Sequence, residues 1–298
     1  AESRPGLEAG LDLAYARGPA AGLAAAARGR WTEAGVRANE AYVAFGAREL
    51  GVWAGRRAVA LGGAPGAGVV LSGAVVDGAG LEAAPQRLPG PFGALGPVGG
   101  LAVVARMERS GPVARPWFAA LRVRLGPHPA LAVGLNRAAI FGGEGNERVT
   151  PRRVLLMALG LTDTRGKDSD FENQVASVDV AWRVAPFGVP ALVYGEWGFD
   201  DVGFAWTRVP GIVLGAEAPA LPGLGAPGLA ALGLGLELAW FDRSCCGNPP
   251  WYRHGALADG WTDRGEPLGH PLGGHGHEAA LRWRAAAPGA GLLASGRL

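Results

Sequence analysis

Alternation with a period of two is the feature that most constrains this chain. In "FENQVASVDVAWRVA", Gln174, Ala176, Val178, Val180, Trp182 and Val184 fall on one face, while Asn173, Ser177, Asp179 and Arg183 fall on the other. "LGLGLELAWF" repeats the rhythm, with Leu232, Leu234, Leu236, Leu238 and Trp240 set against Gly233, Gly235, Glu237 and Ala239. Trp117, Ala119, Leu121, Val123 and Leu125 alternate with Arg122 and Arg124, and Leu281 and Trp283 with Arg282 and Arg284. Near the start, Leu7, Ala9, Leu11, Leu13 and Tyr15 oppose Glu8, Gly10 and Asp12. Successive side chains of a strand point to opposite faces, so each segment reads as a strand with one apolar and one polar side. The segments run to about ten residues, roughly twice the usual soluble strand.

Two architectures use such strands. In a transmembrane β-barrel the apolar face meets lipid and the polar face a wet interior, with aromatic residues at the two interfaces. Tyr15, Trp117, Trp182, Trp197, Trp240 and Trp283 sit near segment ends, as that arrangement requires. In a soluble β-sandwich the apolar face would be the core. Glycine-rich opposite faces and long strands favour the barrel. The expectation is therefore an all-β fold, a transmembrane antiparallel β-barrel of the outer-membrane type, in one domain over residues 1–298.

Composition agrees with strands. Hydrophobic residues make 49% of the 298 and charged residues only 18%. Three stretches carry no charge (Ala58–Val76, Leu88–Ala105 and Ala218–Leu236), but glycine and proline interrupt each of them. None reads as a membrane-spanning helix, so a bilayer would have to be crossed by strands. The chain begins AESRPGLEAG, with neither a basic n-region nor an apolar h-region, so no signal peptide is read in it. A formal net charge of +2 gives no nucleic-acid signal.

About twelve to fourteen strands are expected at this segment length. Their centres fall at Leu11, Ala25, Val43, Val52, Val103, Leu121, Val133, Val178, Val193, Ile212, Leu236, Leu281 and Leu293. Glycine- and proline-rich connections are expected at Gly62–Pro97, Gly142–Asp170 and Asp242–His277. In the second, "TPRRVLLMALG" predicts a short helix near 150–160, with Thr150 as N-cap and Pro151 at the first position.

The chemistry gathers in the third connection, "WYRHGALADGWTDRGEPLGHPLGGHGH", Trp251 to His277. It holds His254, His270, His275 and His277, four of the chain's five histidines. Histidines with Glu266 or Glu278 suit a zinc or nickel site by donor type. Histidines that hydrogen-bond loop neighbours or a ligand are the plainer expectation, with no metal or cofactor. Trp251, Tyr252 and Trp261 have two readings. They form the loop's own core or an interfacial belt, or they are stacking platforms for sugar rings flanked by Arg253, Asp259, Asp263 and Arg264. Cys245 and Cys246 are neighbours and cannot join distant segments, so two loop thiols are expected. "GGAPGAGVVLSG" has the glycines of a phosphate loop but not its lysine. No catalytic motif is present, and the chain is expected not to be an enzyme.

Several motifs resemble the Wzi-type capsule-assembly outer-membrane proteins. In the third connection they are Tyr252/His254, Asp259/Gly260/Trp261, Arg264/Gly265 and Gly269/His270/Gly273/Gly274. "NRAAIFGGEGNERVT" and "ENQVASVDVAWR" resemble the family in the same order, as does "EAYVAFGARELGVWAGRRAVALGG" more loosely. The resemblance spans most of the chain and is specific in its second half. It departs where the family often has an acid, here His275, and where its usual asparagine is Arg253.

The resemblance implies a barrel in the bacterial outer membrane that attaches capsular polysaccharide to the cell surface as a lectin. It also implies eighteen strands and a helical piece near the N-terminus. This chain starts in a strand, lacks a terminal aromatic and falls short of eighteen strands, so one or both ends are expected to be missing or the member to be shorter. The carbohydrate-binding candidates are Trp251, Tyr252, Arg253, His254, Asp259, Trp261, Arg264 and His270. Arg56 and Arg57, with Arg253 and Arg264, would favour an acidic polymer. Arg122, Arg124, Asn173, Ser177, Asp179, Arg183 and Glu237 are expected to line the lumen, the charged ones in ion pairs. Partners would be capsular or another surface polysaccharide and outer-membrane lipid, with no nucleic acid, for a monomeric barrel. Two alternatives stay open: a porin-like diffusion channel, and a soluble β-sandwich carbohydrate-active enzyme using Glu266 or Asp263 with a histidine.

Overall fold

The computed structural model describes residues 7–16, 21–32, 35–47, 49–65, 67–158, 172–200, 211–221, 231–241, 251–253, 257–287 and 292–297. The strands are β1 (Leu7–Ala16), β2 (Ala21–Thr32), β3 (Gly35–Ala47), β4 (Leu50–Leu61), β5 (Leu71–Arg87) and β6 (Pro97–Arg106). Then come β7 (Arg109–Ser110), β8 (Val113–Ala114), β9 (Trp117–His128), β10 (Leu131–Phe141), β11 (Glu172–Val184) and β12 (Ala191–Asp200). The remainder are β13 (Gly211–Ala218), β14 (Ala231–Phe241), β15 (Thr262–Asp263), β16 (Glu266–Pro267), β17 (Gly276–Ala287) and β18 (Leu292–Arg297).

Fourteen of them form one antiparallel sheet in which every strand pairs with its neighbours in sequence, leaving β7–β8 and β15–β16 as two-residue ribbons in the loops. A sandwich would divide such strands between two facing sheets. Here a single meander curls instead, and the loop after β4 reaches across to β11 and β12. This is the wall of an outer-membrane-type β-barrel.

The two faces follow the alternation. Outward side chains are apolar and half open: Val43 is 59% exposed, Leu121 52%, Leu214 53% and Trp240 52%. Their inward neighbours are polar and closed, with Asp179 and Glu237 each 1% exposed. The outward band continues through Val104, Leu135, Val180, Leu236 and Leu281. An apolar girdle on consecutive strands is a surface for hydrocarbon, since a soluble monomer leaves only scattered apolar patches. Trp117 and Trp240 lie toward one end of the band and Trp182 toward the other, with Arg106 stacked 4.2 Å over the Trp117 ring. No described helix is long and apolar enough to cross a membrane.

All thirteen expected centres lie on sheet strands. The strand without one is β5, which occupies much of the expected Gly62–Pro97 connection and corrects it. Outward Ala79, Leu81 and Ala83 do alternate with Gly78, Gly80 and Glu82, but small residues mute the pattern. Gly80 leaves room for the ring of Trp53 on β4: a Cβ there would lie 2.3 Å from the indole nitrogen. Pro85 cannot donate to a ladder, and the β5–β6 register shifts between Ala83 and Gln86 to pass it. The expected helix is present at Pro151–Ala158, where the Arg153 N–H donates to Thr150 Oγ1 over 3.3 Å.

The barrel has a short-turn end and a long-loop end. The connections after β3, β9 and β11 are two, two and six residues long, while the two longest, 30 residues after β10 and 34 between β14 and β17, lie at the opposite end with those after β4, β6 and β12. Outer-membrane barrels place short turns toward the periplasm and long loops outside.

Candidate functional site: the long-loop mouth and its plug

The loop after β4 turns into the barrel because Gly62 and Gly63 let it approach buried acids. Gly62 has φ +114°, and a Cβ on it would lie 2.6 Å from a Glu196 carboxylate oxygen; one on Gly63 would lie 2.7 Å from Asp179. Below the loop, inward side chains of four strands form one network. Arg122 on β9 donates to the Gly62 carbonyl and pairs with Asp179 on β11 at 3.2 Å. Asn136 on β10 donates to Asp179 at 2.7 Å and to Ser177 at 3.0 Å, and Ser177 donates to Glu196 on β12 at 2.6 Å. A second network joins Tyr194, which donates to Glu237 at 2.8 Å, with Arg282, which pairs with Glu237 at 3.2 Å. Buried charges need such partners, because desolvation would otherwise make them neutral.

The Trp251–His277 loop packs on top. Val69 and Val70, where the inward-turned loop runs into β5, are fully buried, and their carbonyls accept from Tyr252 and from Trp261 Nε1, the latter at 2.8 Å. The Tyr252 hydroxyl also accepts from the His270 N–H at 3.0 Å. The Tyr252 N–H donates to Asp200 on β12, and the Ser72 N–H on β5 to the Leu268 carbonyl at 2.8 Å. Phe241 meets Trp251 edge-on at 5.3 Å between ring centres, and Phe118 meets Trp261 at 6.1 Å. The loop is thus pinned to β5, β9, β12 and β14 at once, and the two loops together stop the long-loop end of the interior. Burial and lost hydration push the Tyr252 hydroxyl well above its ordinary titration range, so it stays a neutral donor.

Trp251 (2% exposed), Tyr252 (5%), Trp261 (1%) and His270 (0%) are therefore enclosed. Of the two readings open for the rings, this geometry is that of a loop core; none presents an open face for sugar stacking. Arg253, Asp259 and Arg264 are exposed on the same loop. His254 lies outside the described residues, as do Cys245 and Cys246. His275 is exposed, and His277 lies against Trp240 at 5.7 Å. Among the described residues no three metal-ligating side chains come together.

Arg264 occupies a left-handed backbone position, φ 54°, followed by Gly265 at φ 80°, in the tight hairpin between β15 and β16. Such turns ordinarily take Asn-Gly, so an arginine there carries strain. Its guanidinium is held by Asp77 on β5 and lies 3.4 Å from Glu108, while Arg56 reaches the same Asp77 at 3.3 Å. The hairpin is also docked through Asp263, which accepts from the Glu108 N–H at 3.1 Å. Burial raises the Asp263 pKa above its usual carboxylate value, with Asp77 and Glu108 adding to it and the amide bond opposing.

The family model described as capsule assembly protein Wzi matches residues 7–286. The chain belongs to the Wzi family. A solved structure from Escherichia coli is similar in fold. It is that of Wzi, reported as an outer membrane protein involved in group 1 capsule assembly and a carbohydrate-binding β-barrel. The TM-score is 0.69 at 20% identity, and the match covers 93% of this chain and 60% of that one. This Wzi-family chain thus spans about three fifths of that protein's length. A comparison with curated protein sequences returned no match.

Among the described residues, the motif side chains Tyr252, Trp261 and His270 are enclosed anchors, and Asp259 and Arg264 are exposed polar groups. Sequence reasoning missed the groups that hold them: Val69, Val70, Asp77, Glu108 and Asp200. Two are backbone carbonyls, which carry no sequence signal, and Asp77 sits on the unrecognised β5. Of the expected lumen residues, Asn173, Ser177, Asp179 and Glu237 are buried and Arg122 is paired. Arg124 and Arg183 are exposed, and no ion pair holds either among the described residues, which corrects the expectation that they pair. Arg57 is paired with Glu82 at 2.5 Å.

Proposed function

We propose that this protein is a bacterial outer-membrane barrel that binds capsular polysaccharide at its long-loop mouth and holds it at the cell surface. It binds without catalysis and acts as a monomer in outer-membrane lipid. Membership of the Wzi family supports this reading, as does the likeness to a solved carbohydrate-binding barrel. The observation that carries it is the division of labour in the Trp251–His277 loop. Enclosed rings anchor the loop to the Val69 and Val70 carbonyls, and Arg253, Asp259 and Arg264 are left on its open side. Preorganised planar guanidiniums and a carboxylate suit sugar hydroxyls and uronate carboxylates. The inward-folded plug argues against an open diffusion channel, and the apolar outer girdle against a soluble enzyme.

Deleting the gene is expected to release capsule from the cells while synthesis continues, measured as cell-bound against shed polysaccharide. Complementation with the Arg253→Ala/Asp259→Ala/Arg264→Ala triple variant is expected to restore the barrel but not retention. Unchanged cell-bound capsule in the deletion strain would overturn the reading.

A further inference from the structure

The outer wall carries a polar row where the apolar girdle meets the long loops. Register sets Arg56 beside Asp77 on β4 and β5. It sets Arg106 beside Trp117, and Trp117 beside Phe141, on β6, β9 and β10, and the Gly78–Ala105 pair links the two sets. Alternation turns the row outward: Ala105, Phe118 and Ile140, next to it in sequence, point inward and are buried. All five strands are paired on both sides. The row therefore belongs to the lipid-facing wall and to neither mouth of the barrel.

Two pieces of loop fold down over this row. At one end the β15–β16 hairpin brings Arg264 to Asp77. At the other lies the helix Pro151–Ala158, here α1. Its Met157 packs with outward Ala139 and Phe141, which are thereby buried, and Val149 packs against the same cluster. The free side of α1 leaves Val154 and Leu155 exposed, beside exposed Arg148 and Arg152. Arginines next to open apolar side chains on a short helix suit the boundary between acyl chains and headgroups.

Between the two pieces lies Arg106. Its guanidinium stacks on the outward Trp117 ring, and its Nη1 is buried with no acceptor. The nearby acids are taken: Asp77 by Arg56 and Arg264, Glu108 by Arg264, and Glu147 by Arg153. Arg115 is exposed and holds a left-handed angle, φ 52°; its N–H donates to the Glu108 carbonyl at 2.9 Å. Among the described residues no ion pair holds Arg106, Arg115, Arg148 or Arg152. A buried donor without an acceptor is costly, and a wall that faces acyl chains has little water to supply one. A guanidinium stacked on a ring keeps its N–H edge free to fork paired oxygens. A phosphate at the top of a set of acyl chains brings those oxygens and the compensating charge. The chains themselves would cover outward Val104 and Leu121, on the girdle just below.

We propose that this patch of the outer wall binds the phosphorylated headgroup of an outer-leaflet lipid, with Arg106 on Trp117 at its centre, Arg115 beside it and the arginines of α1 at its edge. It goes beyond polysaccharide retention and rests on the barrel wall and its membrane alone.

The test uses the full chain purified in detergent and titrated with diphosphoryl lipid A in mixed micelles, the lipid-bound fraction being read by native mass spectrometry. Lipid A is expected to bind, and the same lipid stripped of its phosphates is expected to bind far more weakly. The Arg106→Gln/Arg115→Gln double variant is expected to weaken binding at least about tenfold, the loss of two charge-assisted contacts. Arg152→Gln is expected to weaken it less, and Arg183→Gln, at the short-turn end, not at all. Neither arginine of the double variant belongs to an ion pair among the described residues, and heat-modifiable gel mobility checks that each variant is folded. Equal binding of the dephosphorylated lipid or full affinity in the double variant would each overturn the proposal. Displacement of lipid A by soluble trigalacturonate would overturn it too, by making the patch a site for acidic polysaccharide. Capsule retention by living cells reads the Trp251–His277 loop, so failure there leaves this result standing.

Discussion

The two mouths of the barrel use the same residue for opposite ends. At the long-loop mouth, Arg56 and Arg264 share Asp77, and Arg264 also approaches Glu108, so charge is balanced within the protein. At the short-turn mouth, Arg87, Arg124 and Arg183 face a common cavity with no carboxylate in its lining. The first arrangement fixes a loop in place, with Arg264 held at a backbone angle that arginine rarely adopts. A carboxylate from another strand thus fixes where the Arg264 guanidinium sits, and among the described residues none does so for Arg87, Arg124 or Arg183.

The sharpest way to break this contrast is at the buried pair beneath the plug. Asp179→Ala leaves Arg122 uncompensated and removes an acceptor from Asn136, so a loss of roughly 3–5 kcal/mol in stability is expected. Urea unfolding in lipid vesicles measures it; a change under 1 kcal/mol would mean that the two mouths are not separated by this pair. Next comes the plug itself. Trp261→Ala removes a fully buried ring and its bond to the Val70 carbonyl, at a cost of about 3–5 kcal/mol locally. Planar-bilayer recordings are expected to change from a silent barrel to one with intermittent conductance.

The smallest effect belongs to Asp263. Its folded pKa is raised by burial, so the folded protein holds a proton where the unfolded chain has lost it. Stability should therefore decline as pH rises from the ordinary carboxylate value of 3.8 through the raised one, and be regained as pH falls. Asp263→Asn keeps the acceptor for Glu108 and removes the charge. Its stability should lack that component of the pH slope, and an unchanged slope would show that Asp263 is not its source.

Much of the wall was legible in the sequence because alternation is a local property. Val178, Val180 and Trp182 announce the outward face of β11, and Ser177 and Asp179 its inward face, with no knowledge of any other strand. β5 escaped because Ala79, Ala83, Gly78 and Gly80 are small on both sides. What Gly80 accommodates, the Trp53 ring, belongs to the neighbouring strand. The loop that carries the candidate site was also legible, from its aromatics, arginines and glycines. Which of its side chains face inward was not, since Tyr252 and Trp261 are bound to carbonyls at Val69 and Val70, well over a hundred residues away.

The sequence by itself determined the strands other than β5, their two faces and the short helix capped by Thr150. All of these rest on spacing between near neighbours. Only the tertiary structure decided that the rings of the loop are anchors and that Arg122 is paired while Arg124, on the same strand face, lines an open cavity. By register Asp179 is level with Arg124, through Gly134, yet its carboxylate meets Arg122 at 3.2 Å. Alternation sets which way a side chain points, and only the folded wall sets what it meets.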